Sequence, residues 1–128
     1  MEAQMSCSWQ DEFKGSLARL HECGGDECVE EIVTIFLEDT PAQLARNREA
    51  VAHADARALR DAAHRLRGSC FALGLGTIAQ RCLQVENLGA AGTVSGADAV
   101  LAQIECDLEL ARLALLEIVQ AIRDRRAA

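Results

Sequence analysis

The chain is predicted to be all-α, an antiparallel up-down-up-down four-helix bundle with an additional short N-terminal helix. Aromatic residues make up only 3% of the 128 residues and proline occurs once, while alanine, leucine, arginine and glutamate, which favour helices, fill long stretches. Apolar residues recur at helical spacings of three, four and seven, and runs with strand-like alternation are absent. Long helices with short connections favour such a bundle.

The first two helices are separated by a pair of glycines. A short helix is predicted over about 9–23, because the Gly24-Gly25 pair ends helices readily. A second helix then runs over about 26–53 with one apolar face. Pro41 lies inside it and removes one backbone donor, which predicts a kink and not a break.

Two further helices have recognisable starts. The Asp55 carboxylate can cap a third helix, which ends near Gly74. Thr77 and Gln80 form a capping box for a fourth helix, which stops at Gly89.

A long final helix is predicted over about 97–125, after a glycine-containing loop. The 128 residues, half of them hydrophobic, suffice for one compact core and not for two. We therefore expect a single domain over 1–128, with the bundle over about 26–125.

Charge and cysteine content exclude several classes of protein. The formal net charge is -7, which is unsuited to binding a nucleic-acid backbone. No apolar run approaches the roughly 20 residues of a membrane span, and no secretion signal is apparent at the start, so we expect a cytoplasmic protein that contacts neither nucleic acid nor membrane. The six cysteines show no C-x-x-C spacing, and reduced thiols are expected.

The run from His64 to Gly68 is the strongest functional signal in the chain. At about 100° per residue His64 lies opposite the apolar stripe of its helix and faces outward. An imidazole that is neutral near pH 7 is a competent nucleophile. Arg67, one turn along, can place a guanidinium beside a phosphoryl group. Gly68 has no side chain, so another protein can approach the ring closely.

The surface around His64 is predicted to bind an acidic protein pocket or a small anion. The helix over 55–73 carries four arginines and two acidic residues, so its local charge is positive although the net charge of the chain is negative. A docking surface is predicted, although core packing is the alternative for its apolar members and a surface histidine without a role is the alternative for His64. The candidates are Gly68, Phe71, Arg60, Ile35, Phe13 and Trp9.

These residues resemble the histidine-containing phosphotransfer (HPt) family, most closely its stand-alone yeast-type phosphorelay intermediates. The resemblance extends from His64-Arg65-Leu66-Arg67-Gly68-Ser69 through Leu73-Gly74-Leu75 and Ile78-Ala79 to Cys82 and Asn87-Leu88-Gly89. It implies that His64 takes a phosphoryl group from an aspartyl phosphate on a receiver domain and passes it to a response-regulator aspartate. The implied partners are receiver domains of hybrid histidine kinases and response regulators.

The chain departs from the family pattern beside the histidine. Arg67 stands where lysine is commoner, Phe71 is bulkier than expected, and Ala90 replaces a basic residue. Glu86 stands where the closest relatives carry glutamine. Its carboxylate can accept the Nδ1 proton and hold Nε2 outward, although its negative charge opposes an incoming phosphoryl group. The alternative for Glu86 is a solvated helix carboxylate.

Two other functions compete with phosphotransfer. The first is a non-catalytic helical module that docks receiver domains or histidine kinases. The second is a metal-storage bundle, although the Glu-x-x-His pairs of di-iron bundles are missing. The phosphate-cradling G-x-x-x-x-G-K loop is also missing, so we expect no ATP site and no cofactor of the chain's own. The family resemblance implies Mg²⁺ in the partner receiver domain, a monomer, and, in a eukaryote, entry into the nucleus as well.

Overall fold

The computed structural model describes residues 8–128, which form α-helices joined by short turns and contain no strand. The all-α prediction is therefore confirmed over this range. The helices are α1 (Ser8–Ala52), α2 (Ala56–Ala72), α3 (Gly76–Ala90) and α4 (Ala97–Ala127). None of the helices within 8–128 combines the length and the apolarity that a membrane crossing would need.

Residues 1–7 of the predicted domain, with Cys7, lie outside the described residues. The other five cysteines, Cys23, Cys28, Cys70, Cys82 and Cys106, are free thiols, as predicted.

The glycine pair produces a kink inside α1. Gly25 has a non-helical backbone, with φ 68° and ψ -162°, whereas α1 continues through Pro41 to Ala52. Glycine adopts positive φ at little steric cost because it lacks a Cβ. The predicted interruption is thus present as a bend between two helical segments, and we call residues 8–24 the N-terminal arm.

The N-terminal arm buries its aromatic side chains. Trp9 and Phe13 lie in the core with their ring centroids 6.0 Å apart. The prediction that both belong to a docking surface is therefore wrong. Their rings bury large apolar areas against the bundle, which stabilises the docked arm.

The arm also caps α3, and this corrects the predicted capping box. Helix α3 begins at Gly76, and its N-cap residue, Leu75, offers no side-chain hydrogen bond. The Glu12 carboxylate supplies the cap instead, since its Oε1 accepts hydrogen bonds from the Thr77 backbone N–H at 3.0 Å and from Thr77 Oγ1 at 2.9 Å. A carboxylate is stabilised at a helix N-terminus by the helix dipole. Thr77 and Gln80 therefore do not cap the helix themselves.

The α2–α3 turn is closed against the arm. Gly74 has a φ of 81°, and a Cβ added there would lie 2.1 Å from Ser16 Cβ. Both the backbone angle and the contact therefore require glycine at this position.

Helix α2 follows its predicted pattern. Asp55 caps it by accepting a hydrogen bond from the Ala58 N–H at 3.0 Å. The predicted apolar stripe is buried and comprises Leu59, Ala62, Ala63, Leu66, Cys70 and Leu73. Burial of this stripe leaves the opposite face of α2 available to solvent.

Helices α2 and α3 approach each other closely at Gly89. A Cβ added to Gly89 would lie 2.6 Å from Ala56 O and 2.6 Å from Arg60 N. Real Cβ atoms do not tolerate such contacts, so the absence of a side chain at Gly89 permits this helix spacing. The same pair of helices carries His64 and Glu86.

We predict that Gly89→Ala destabilises the fold by about 1–3 kcal/mol, because the added methyl group forces α2 and α3 apart. The matched control is Gly68→Ala, whose Cβ would enter open space and which should stabilise the fold by up to about 1 kcal/mol through helix propensity. Urea unfolding followed by circular dichroism measures both changes. Equal stabilities of the two variants would contradict the close approach at Gly89.

Candidate functional site

His64 lies on the solvent-facing side of α2, where the sequence pattern predicts it. Its side chain is 64% exposed. A Cβ added to Gly68, one turn along, would find no heavy atom within 4 Å. Packing within the chain therefore does not require glycine at this position, although a mid-helix glycine costs about 1 kcal/mol relative to alanine.

One carboxylate and one guanidinium contact the Nδ1 side of the His64 ring. Nδ1 lies 3.0 Å from Glu86 Oε2 and 3.2 Å from Arg67 Nη2. A carboxylate only accepts hydrogen bonds and a guanidinium only donates them, so Nδ1 bonds Glu86 when it carries a proton and Arg67 when it does not. The contact with Glu86 is the shorter one, and Arg67 already donates to the same carboxylate, so the geometry favours a proton on Nδ1. In the neutral ring the free lone pair then belongs to Nε2. In this tautomer Nε2 is the ring nitrogen that can act as a nucleophile.

Arg67 is bound to Glu86 in this structure. Its Nε donates to Glu86 Oε1 at 2.8 Å, while Oε2 of the same carboxylate faces the ring. Both of these contacts, and the approach of Nη2 to the ring, lie on the Nδ1 side of His64. The guanidinium is therefore adjacent to the ring but paired with a counter-charge.

The Glu86 side chain is mostly buried and carries a negative charge. Its side chain is 17% exposed. Burial raises the pKa of the Glu86 carboxyl, but hydrogen bonds from Arg67 and His64, together with their charges, outweigh burial and keep that pKa below its ordinary value. Glu86 is thus an ordered partner of His64, which excludes the alternative of a solvated helix carboxylate.

Two large apolar side chains remain exposed on or beside this face. Phe71 is 74% exposed and Ile35 is 51% exposed. Ile35 borders a groove of about 190 Å³ between α1 and α2, into which Ser69 and Ala72 also project. Phe71 borders a separate cleft that contains Arg67 and Glu12, so the N-terminal arm adjoins the His64 surface. Exposed apolar side chains of this size commonly mark protein contacts.

The opposite end of the same face is cationic. Arg60 pairs with the neighbouring Asp61 at 3.2 Å. Arg57, one turn before Arg60, is exposed and forms no ion pair with any residue in the range 8–128. Arg65 is also exposed, but it borders a separate groove that Asp55 and Asp61 line as well. The His64 face therefore has a basic end and an apolar end.

Three contributions to this site were not predicted from the sequence. Glu12 caps α3 from the arm, and Gln43 Nε2 of α1 donates to Ser69 Oγ of α2 at 3.1 Å. Both contacts join residues far apart in the chain, and neither has a local signature. Gly89 was identified within the motif, but its role in the close approach of the helices depends on the packed structure.

Comparisons with known proteins agree with this geometry. A family model described as the Hpt domain matches residues 31–125, which include the whole of α2 and α3. The chain is similar to the crystal structure of histidine-containing phosphotransfer protein B (HptB) from Pseudomonas aeruginosa, with a TM-score of 0.78 and 27% sequence identity, covering 83% of this chain and 91% of that chain. No match was found among curated proteins.

These matches confirm the predicted family and the predicted phosphorelay function, since they cover the helices that carry His64, Arg67 and Glu86. The chain therefore belongs to the Hpt domain family, the histidine phosphotransfer proteins of phosphorelays.

Proposed function

We propose that His64 is the phosphoacceptor of this protein. Its Nε2 takes a phosphoryl group from an aspartyl phosphate on the receiver domain of a hybrid histidine kinase and passes it to an aspartate of a response regulator. The observation that carries this proposal is the exposed ring whose Nδ1 lies 3.0 Å from the Glu86 carboxylate, because that contact leaves the Nε2 lone pair available.

The transfer needs no proton movement at the ring. The Nε2 lone pair attacks phosphorus, the bond from phosphorus to the aspartate oxygen breaks, and the aspartate leaves as a carboxylate with the electron pair. Arg67 lies close enough to reorient toward the phosphoryl oxygens and offset their charge. Mg²⁺ in the receiver pocket supplies the remaining charge compensation, and this chain contributes position and orientation.

The receiver domain is proposed to dock over the exposed face of α2. Gly68 gives clearance beside the ring, and Phe71 and Ile35 supply apolar contact area at one end. Arg57 supplies positive charge at the other end, beside Arg60 and its partner Asp61, which suits the acidic surroundings of a phosphorylatable aspartate. Trp9 and Phe13 have no place on this surface because they are buried.

We also infer an antiparallel up-down-up-down order for the four helices, with the N-terminal arm as an additional helix. Contacts between α2 and α3 support this order, because the residue number falls in one helix as it rises in the other. Arg60 meets Gly89, His64 meets Glu86, and the buried Cys70 lies beside the buried Cys82.

We further propose a cytoplasmic monomer, which in a eukaryote also enters the nucleus, because receiver domains are its expected partners.

The competing function is a helical module that docks receiver domains without phosphotransfer. One observation favours it: Arg67 is paired with Glu86, so the cation beside the ring is already occupied.

We predict that incubation with a ³²P-labelled phosphorylated receiver domain transfers label to the wild-type protein and not to His64→Gln. The label should be acid-labile and alkali-stable, as expected for a phosphoramidate bond on a ring nitrogen. The matched control is His53→Gln, which removes a different exposed histidine and should leave labelling unchanged. Receiver binding without labelling of the wild type would instead support the docking module.

We predict that Gly68→Gln weakens receiver binding by about tenfold or more, equivalent to at least ~1.4 kcal/mol, while helicity is unchanged. The longer side chain would occupy the space that the receiver needs beside the ring. Isothermal titration calorimetry measures the affinity, and Ala102→Gln, an exposed site on α4, is the matched control. Equal affinities of the two variants would contradict the proposed clearance.

A further inference from the structure

Phosphorylation changes the charge of the His64 ring. When Nε2 forms its bond to phosphorus and Nδ1 keeps its proton, the ring carries a positive charge. When the phosphoryl group moves on, the electron pair of the broken nitrogen–phosphorus bond returns to Nε2, and the ring leaves as neutral imidazole. If Nδ1 has lost its proton first, the ring must instead leave as an imidazolate anion, which is a much poorer leaving group. The Nδ1 proton of the phosphorylated state therefore controls onward transfer.

We propose that Glu86 is the counter-ion of the phosphorylated His64 ring, holding the Nδ1 proton at a higher pH than a neutral glutamine would, and so keeping the phosphoryl group transferable at neutral and mildly alkaline pH. The inference rests on the proposed role of His64 as phosphoacceptor. It assigns to the carboxylate a function in the phosphorylated state, in addition to orienting the unphosphorylated ring.

The geometry places the carboxylate where this charge appears. Glu86 Oε2 is 3.0 Å from Nδ1, and the Glu86 side chain is far less exposed than the ring, at 17% against 64%. An opposite charge at hydrogen-bond distance favours the charged form of its partner. A carboxylate in a serine hydrolase triad acts on its histidine in the same way, by stabilising the imidazolium that forms during reaction.

Apart from Glu86 of α3, Arg67 of α2 is the charged residue in the range 8–128 that contacts the ring. Arg67 Nη2 lies 3.2 Å from Nδ1 and opposes a positive ring, while Arg67 Nε is bound to Glu86 Oε1 at 2.8 Å. Arg60 and Asp61, one turn earlier, pair with each other and largely cancel. No ionisable side chain of α1 or α4 within the range 8–128 hydrogen-bonds or ion-pairs with His64. Arg57 and Arg65 of α2 are exposed, so solvent and salt screen their charges. Glu86 and Arg67, the two charged groups in contact with the ring, therefore have the largest electrostatic effect on it.

A phosphoryl group on Nε2 shifts this balance toward Glu86. Its negative oxygens attract the Arg67 guanidinium, which is 35% exposed and exchanges its bond to Glu86 for a bond to the phosphoryl group. Glu86 then faces a positively charged ring while Arg67 faces the phosphoryl group. The ion pair between Arg67 and Glu86 in the unphosphorylated protein is thus exchanged for two new pairs, and each charge keeps a partner.

The test uses the full chain phosphorylated with phosphoramidate, a small-molecule phosphodonor, so that no partner protein is needed. The ¹⁵N and ³¹P chemical shifts of the phosphorylated ring are followed against pH in the wild type and in Glu86→Gln. We expect loss of the Nδ1 proton at a pH about one unit higher in the wild type, the lower end of the range for a neighbouring opposite charge because the ring is well exposed. The midpoint pH for loss of the Nδ1 proton should fall in Glu86→Gln and rise in Arg67→Ala.

Asp61→Asn is the matched control, because it removes one negative charge from the same face without touching the ring. It should leave the midpoint within about 0.3 pH units of the wild type, since exposed charges are strongly screened. Coincident midpoints for the wild type and Glu86→Gln would overturn the counter-ion role and leave the phosphoacceptor role intact. Failure of the wild type to take label from a ³²P-labelled phosphorylated receiver domain would overturn both.

Discussion

The close approach of α2 and α3 is the constraint on which the site depends. Gly89 allows the backbones to come so near that a methyl group at this position would meet Ala56 O and Arg60 N at 2.6 Å. Within one turn of this contact, Glu86 of α3 reaches His64 of α2. A wider helix spacing would separate the carboxylate from the ring and leave the Nδ1 proton to water. A backbone packing requirement thus brings the carboxylate within hydrogen-bond distance of Nδ1.

The N-terminal arm supports the same pair of helices from the other end. Helix α3 has no cap of its own, and Glu12 supplies one by accepting two hydrogen bonds from Thr77. Burial of Trp9 and Phe13 keeps the arm in place. The arm also borders the cleft beside Phe71 and Arg67, so one short segment both caps α3 and adjoins the proposed docking surface.

Local sequence signals predicted most of the fold. The periodicity of α2, the Asp55 cap and the bend at Gly25 all depend on neighbouring residues, and all are present in the structure. The capping of α3 was mispredicted because the capping carboxylate comes from Glu12, 65 positions away from Thr77. Trp9 was mispredicted because the pattern of one helix shows which side is apolar. It does not show whether that side packs against the same chain or against a partner.

The sequence predicted the exposure of the site residues on α2 but not the ion pair between Arg67 and Glu86. The exposed face of His64 and the open space at Gly68 follow from helical geometry alone. The pairing of Arg67 with Glu86 could not be predicted, because it depends on how α2 and α3 are aligned. It also depends on whether the guanidinium contacts the ring, the carboxylate or solvent.

The most direct test of this account is the tautomer of the unphosphorylated His64 ring, measured by long-range ¹H–¹⁵N correlation NMR at a pH where the ring is neutral. We predict a protonated Nδ1 and an unprotonated Nε2, with this preference weakened in Glu86→Gln. A ring protonated mainly on Nε2 in the wild type would contradict the account, because the outward-facing nitrogen would then have no lone pair with which to attack phosphorus.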